Sequence, residues 1–269
     1  MADYETHDSG SFCWPELSTT DQKGAVAFYR NLFGWDVNDQ PIGPTETYSM
    51  FQMRGRPIGA AYSMKAEERQ MGMPPHWGSY VSVKSADDTA KRAEELGGKV
   101  LAAPFDVMDA GRMAVIQDPT GAVFMVWQAN KHAGAQILNE PGALCWTELS
   151  TRDTKAAEKF YTQLFGWTAK TSGTGTPMEY TEFSNLGKPG IGMMQMPAHI
   201  PASVPPFWIP YFQVTDCDAS TAKSTELGGQ VTVPPMDIPN TGRFSVIRDP
   251  QGAVLAIFTP ARVAATIGA

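Results

Sequence analysis

The chain has 269 residues, 42% apolar and 18% charged, and 21 basic against 28 acidic side chains leave a formal charge of −7. That apolar share supports packed cores, whereas the acidic balance excludes nucleic acid and anionic membranes as default partners, because both need clustered Lys and Arg. No apolar run approaches the ~18 residues that span a bilayer, no secretory leader opens the chain, and three cysteines make no disulfide framework, so a cytoplasmic protein is expected.

The first predicted element is a short aromatic strand, FCWPEL (12–17). Asp21 then stands where a helix N-cap belongs, Ala25, Phe28, Tyr29 and Leu32 recur at helical spacing, and Gly34 ends the helix. Residues 46–53 and 57–63 read as two strands joined by a turn. YVSV (80–83) is a further strand, and 86–96 a helix closed by Gly97–Gly98. KVLAA, RMAVIQ and AVFMVWQ are three more strands, the last two joined by the tight turn DPTG.

The chain then repeats itself. CWPELSTTDQKGAVAFYRNLFGW (13–35) pairs with CWTELSTRDTKAAEKFYTQLFGW (145–167) without a gap, and GRMAVIQDPTGAV (111–123) pairs with GRFSVIRDPQGAV (242–254). A period of about 131 residues is a duplicated domain rather than a solenoid. The expected organisation is a first domain over 1–130, a linker over 131–142 and a second domain over 143–269. Each copy should hold two strand–helix–three-strand modules, giving an α+β fold with curved mixed sheets around a cleft. With a linker this short, a short interdomain contact is expected.

The FYxxLFGW helix ends and the GRxxxxxDPxGA hairpins, both occurring twice, resemble the glyoxalase / bleomycin-resistance / extradiol dioxygenase superfamily, also called vicinal oxygen chelate proteins. The likeness is strongest to two-domain actinobacterial members labelled hydroxylases, among them a mycobacterial culture-filtrate antigen. It implies tandem βαβββ modules around a small-molecule cleft, and lyase, isomerase or ring-opening oxygenase chemistry. Metal-dependent members place His, Glu or Gln on four strands facing one divalent ion. Mapped onto this chain, those positions are Trp14, a site near Gly59, Gly78 and Met125 in the first copy. In the second they are Trp146, Gly192, Ile209 and Ala256. None is a hard nitrogen or oxygen donor, so no metal is expected. The alternative is a divalent metal held by displaced ligands such as Glu16 and His76.

Strand alternation names what stands there instead. Trp14 and Glu16 share the cleft face with His76, Gly78, Tyr80, Ser82, Val123, Met125 and Trp127. Trp146 and Glu148 share theirs with Ile209, Tyr211, Gln213, Val254, Ala256 and Phe258. Cys13, Cys145 and Leu17 should then face the helices. Glu16 and Glu148 are candidate acid–base groups, ligand contacts, or partners of Arg112 and Arg243 in structural ion pairs. His7, His76, His132 and His199 have no metal-binding spacing. Cys217, near a helix start, lacks a basic neighbour in sequence. GIGMMQM (190–196), with Met71 and Met73, reads as core filling or a flexible pocket, and GTGTP (173–177) lacks the lysine of a phosphate loop.

Two functions follow as expectations. One is metal-independent binding of a small, largely apolar or aromatic molecule, for sequestration or resistance, by a monomer or homodimer. The other is an enzyme of the superfamily using glutamate acid–base chemistry or a displaced metal. The second cleft should be the roomier unless Ile209 fills it.

Overall fold

The computed structural model describes residues 4–70, 72–176 and 179–261. The first domain runs β1 (Phe12–Thr19), α1 (Gln22–Phe33), β2 (Asp36–Pro41), β3 (Thr47–Met53), β4 (Arg56–Ser63), the short α2 (Ala66–Gln70), β5 (His76–Ser82), α3 (Ala86–Glu95), β6 (Lys99–Val107), β7 (Gly111–Gln117) and β8 (Val123–Ala129). The second runs β9 (Leu144–Thr151), α4 (Thr154–Phe165), β10 (Thr168–Ser172), β11 (Tyr180–Asn185), β12 (Lys188–Gln195), β13 (Phe207–Gln213), α5 (Cys217–Glu226), β14 (Gln230–Ile238), β15 (Gly242–Arg248) and β16 (Val254–Pro260). The tandem α+β architecture is as expected. The polar strands β2 and β10 are additions, because exposed edge strands carry no hydrophobic alternation to announce them.

Local chemistry sets the helix ends. Asp21 accepts the Gly24 amide at 3.0 Å as N-cap of α1, and Gly34 closes the helix in the left-handed region at φ 76°. Asp153 and Gly166 do the same for α4.

Each domain forms one eight-stranded sheet, in the orders β2-β3-β4-β1-β5-β8-β7-β6 and β10-β11-β12-β9-β13-β16-β15-β14. The two modules of a copy therefore pair with each other, through antiparallel β1–β5 and β9–β13. Parallel pairs flank this seam, β1 with β4 and β5 with β8.

The contact between domains is far larger than the short one expected. Phe28, Tyr29 and Leu32 of α1 pack with Leu17, Phe51 and Trp77 of their own sheet. The same cluster includes Phe212, Ile247 and Leu255 of the other domain. Symmetrically, Phe160 and Tyr161 of α4 join Val81, Ile116 and Phe124 of the first domain. Each long helix is thus shared between two sheets, and burying large apolar side chains of this kind stabilises by roughly 1.5–3 kcal/mol apiece. The FGW tryptophans fasten the chain on the way into each domain. Trp35 Nε1 donates to Gly142 O at 2.7 Å, and Trp167 Nε1 donates to Gly10 O at 2.8 Å.

The helix-bearing faces of the two sheets are thus joined, and the faces that carry Glu16 and Glu148 form separate clusters on the other side of each sheet. No helix among the described residues is long and apolar enough to cross a membrane.

Candidate functional site

Glu16 lies on the central strand of the first concave face, opposite Ala60 on β4 and Gly78 on β5. Two phenols converge on it. Tyr48 Oη of β3 donates to Oε1 and Tyr80 Oη of β5 donates to Oε2, both at 2.6 Å. Trp14 Nε1 donates to the Tyr48 hydroxyl at 3.0 Å, which completes a chain from indole to phenol to carboxylate. The second domain repeats it. Tyr180 and Tyr211 donate to Glu148 at 2.8 and 2.9 Å, and Trp146 Nε1 donates to Tyr180 Oη at 3.0 Å.

Burial raises the pKa of both glutamates, and the two phenol hydrogen bonds only partly oppose it. Around Glu16, His76 adds a further lowering influence and Glu68 a raising one. The four phenols are raised well above the ordinary tyrosine range by burial and by the adjacent carboxylates, so they remain protonated donors at neutral pH. Short phenol–carboxylate bonds of this kind are charge-assisted and hold the carboxyl group in one orientation.

Tyr48 and Tyr180 were not among the candidate residues. The two align at the 132-residue offset that relates the first helices of the repeat, but that does not reveal that β3 and β11 reach across to the central strand. The expected ion pairs are overturned. Arg112 bonds Asp87 of α3 and Asp106 of β6, and Arg243 bonds Asp218 of α5 and Asp237 of β14.

Met125 lies beside Tyr80 in register, and a methyl on Gly78 would overlap its Cε. In the second domain the pair is inverted: Ile209 stands opposite Glu148, and Ala256 beside Tyr211. Ile209 is 5% exposed and fills the space that Met125 leaves, so the second face is not simply the roomier. Trp127 Nε1 donates to His132 O at 2.8 Å, and His132 packs edge-on against Trp14 at 4.5 Å. Residues of the interdomain segment therefore roof the aromatic end of the first face. Burial holds His132 down at about 4, with His7 adding to the effect, so it stays neutral. Phe258 and the half-buried Gln213 pair across β16 and β13. His76 is half-buried at the other end, its Nδ1 within 2.9 Å of Pro74 O.

Three placements are corrected. Cys13 and Cys145 do not face the helices. Each sits at a bulge where the register slips, and they pack with Trp14 and Tyr80, and with Ile209 and Tyr211, respectively. The extra residue of a bulge breaks strict alternation. Leu17, beyond the bulge, does face α1. Gly59 lies on the opposite face, where a side chain would meet Pro15 O. The position matching Gly192 is Ala60, opposite Glu16. Of the methionine stretches, Met193 and Met196 are buried, Met73 is exposed, and Met71 lies outside the described residues, as does Pro177 of GTGTP.

The donor set does not fit a divalent ion. Both oxygens of each glutamate already accept phenols, and the neighbouring strands present Ala60, Gly78 and Met125 or Gly192, Ile209 and Ala256. Among the described residues no group of three or more His, Cys, Asp or Glu side chains converges on a point. Nor does a surface recess of about 370 Å³ near Asp106, Arg112 and Gln128 reach either carboxylate.

The Glyoxalase/Bleomycin resistance protein/Dioxygenase superfamily profile matches residues 12–126 and 143–257, one sheet each. The chain belongs to this superfamily. It is 40% identical to "Putative glyoxylase CFP32" of Mycobacterium tuberculosis (strain CDC 1551 / Oshkosh), over 92% of this chain and 94% of that protein. It is 33% identical to anthracycline biosynthesis protein DnrV of Streptomyces peucetius, over 92% of both chains. Among solved structures, the Mn(II)-bound glyoxalase of Novosphingobium aromaticivorans superposes with a TM-score of 0.65 at 14% identity, covering 93% of this chain and 82% of that one. The 2,3-dioxygenase LapB of Pseudomonas sp. KL28 gives 0.64 at 13% identity, covering 97% and 94%. At these identities the two structures establish the superfamily fold, whose domains repeat here in tandem.

Proposed function

We propose that this superfamily member is an enzyme that moves a proton next to a carbonyl of a small, flat, largely apolar molecule, with a glutamate of the concave face as the base. The observation that carries the reading is the buried carboxylate clamped by two phenols and walled by Trp14 in one copy and Trp146 in the other. Burial that raises a glutamate pKa brings it towards the range in which a general base both accepts and returns a proton near neutrality. In the step, Glu16 takes a proton from the carbon beside the carbonyl, and the C–H electron pair moves onto the carbonyl oxygen. Tyr80 or Tyr48 turns its hydroxyl from the now neutral carboxyl group to that oxyanion. Return of the proton to another carbon completes an isomerisation, and loss of a leaving group completes an elimination. A relative named for anthracycline biosynthesis supports a polycyclic aromatic ligand.

The buried aromatic walls also support a second reading, binding without turnover, as in sequestration or resistance. One assay separates them. 1-Tetralone, an aromatic ketone, is incubated with the protein in D2O, and deuterium at C2 is followed by NMR. The enzyme reading expects exchange that is lost in the E16Q/E148Q double variant while tetralone still quenches tryptophan fluorescence. Quenching without exchange in the wild-type protein supports binding alone. If the tryptophans merely fill the core, tetralone neither quenches nor exchanges with the wild-type protein, and Trp14→Ala only melts earlier.

A further inference from the structure

The two faces share one constellation but differ at several positions around each carboxylate, Ala60 against Gly192 on the strand to one side among them. Opposite the glutamate stands Gly78 in the first domain and Ile209 in the second. Two residues along the same face, the first domain has Tyr62 and His76 beside Ser18, and the second has Met194 and Phe207 beside Ser150. Tyr62 Oη donates to Glu68 of α2 at 3.2 Å, which continues the polar layer. Glu16 retains partial exposure on this side, whereas Glu148 is 8% exposed. At the aromatic end the order reverses: Trp14 and Trp127 are buried under the interdomain segment, and Trp146 and Phe258 are half-buried.

The side chain over Glu16 is also of a different kind. Met125 reaches into the space that Gly78 leaves empty, and an unbranched thioether changes rotamer readily. Ile209 is β-branched, stiff at χ1, and held against Ala256, which is wholly buried. Swinging Met125 away would open a void between Glu16, Gly78 and Tyr80. The stiff Ile209 side chain offers no equivalent rotamer change beside Glu148.

We infer that the first domain alone takes the ligand next to its carboxylate, with Met125 as a movable plug over Gly78, and that Ile209 closes the equivalent space in the second domain. This assignment deepens the proton-transfer reading and rests on it for the identity of the reaction, but not for where the molecule binds. The ligand is a flat aromatic ketone or phenol, placed on the polar side of Trp14 with its oxygen towards Tyr80 and Glu16.

The test exchanges the two pairs. G78I/M125A rebuilds the closed packing of the second domain in the first, and I209G/A256M rebuilds the open packing in the second. Both copy combinations already accommodated by this fold, and circular dichroism checks that each variant is folded. Equilibrium dialysis with 1-tetralone should give one equivalent per wild-type chain. G78I/M125A should weaken binding about tenfold or more, and I209G/A256M should add a second equivalent. Two equivalents or none for the wild-type chain overturn the assignment, as does unchanged affinity in a folded G78I/M125A. If I209G/A256M alone folds, a stoichiometry that stays at one overturns it too. Deuterium exchange distinguishes the two proposals. One equivalent abolished by G78I/M125A, without exchange in any protein, overturns the reaction and leaves the binding site standing. Exchange that survives both G78I/M125A and E16Q overturns the site and leaves proton transfer standing.

Discussion

Tyr29 of α1 donates its hydroxyl to Asp249 of the second domain at 2.9 Å, 220 residues away in sequence, while the same hydroxyl accepts Trp77 Nε1 at 3.0 Å. The duplicate bond runs the other way, from Tyr161 to Asp118. Both aspartates begin the DPxG turns, and their other oxygens accept the turn amides, including Gly121 and Gly252. The repeated motifs that mark the family therefore meet across the domain boundary rather than within one copy. Each buried carboxylate is satisfied partly by a turn of its own domain and partly by a helix of the other.

Tyr29→Phe and Tyr161→Phe should accordingly weaken the whole protein. Each leaves a buried carboxylate oxygen and an indole N–H short of a partner, at a cost of about 1–3 kcal/mol. Denaturant titration should show one cooperative transition for both domains, moved to lower denaturant with an unchanged slope. Two separated transitions in the wild-type protein would contradict the shared core.

The raised glutamates make stability depend on pH in a stated direction. The folded state holds protons at Glu16 and Glu148 that the unfolded chain releases around its ordinary value of 4.5. The stability they contribute is full below that value and lost as pH rises through the folded pKa. E16Q/E148Q should therefore gain melting temperature relative to the wild-type protein from pH 4.5 upwards, with the gap closing in more acidic buffer. A gap independent of pH would show that folding does not raise the pKa of either side chain.

Removing one phenol should push Glu16 higher still, because the Tyr48 and Tyr80 bonds are the largest influences that oppose its burial. In Tyr48→Phe the acid limb of the tetralone exchange profile, or the titration of the Glu16 carboxyl carbon by NMR, should move to higher pH. Thr47→Ser, on the same strand, should leave it in place. A shift to lower pH in Tyr48→Phe would refute the arrangement of donors.

Addition of Mn²⁺, Fe²⁺ or Zn²⁺ should neither raise the melting temperature nor increase exchange, and chelation should not reduce either. The grounds are the donors: two carboxylate oxygens already bonded to phenols, with Ala60, Gly78 and Met125 around them. A saturable thermal shift with one metal equivalent per chain, abolished in E16Q and His76→Ala, would instead make those two side chains ligands.

Thiol chemistry is expected to be slow. Burial pushes Cys145 up to about 12 and Cys217 up to about 11, and Cys13 is wholly buried and raised as well. Iodoacetamide at pH 7.5 should label the native chain far more slowly than the unfolded one, in which three thiols react. Rapid labelling of native Cys217 would mean that its helix terminus activates it.

The duplication, the α+β module order, the helix ends at Asp21 and Gly34 and the shared face of Trp14 and Glu16 are all written locally. Hydrophobic spacing and capping chemistry act between residues a few positions apart, and a repeat is visible by alignment alone. Strand alternation failed first at Cys13 and Cys145, because a bulge depends on the partner strand and not on the strand itself. Which strands adjoin decided the rest. Tyr48 and Tyr80 reach Glu16 only because β4 and β5 both flank β1, with β3 beyond β4, and sequence spacing does not specify that order. The same holds for the exchange of Gly78 and Met125 for Ile209 and Ala256, a trade of volume across neighbouring strands that packing enforces and no single position reveals. The interdomain bonds of Tyr29 and Tyr161 are the most distant case. They exist because the convex faces bury their apolar area against each other, and only the folded pair of domains brings those groups within hydrogen-bonding distance.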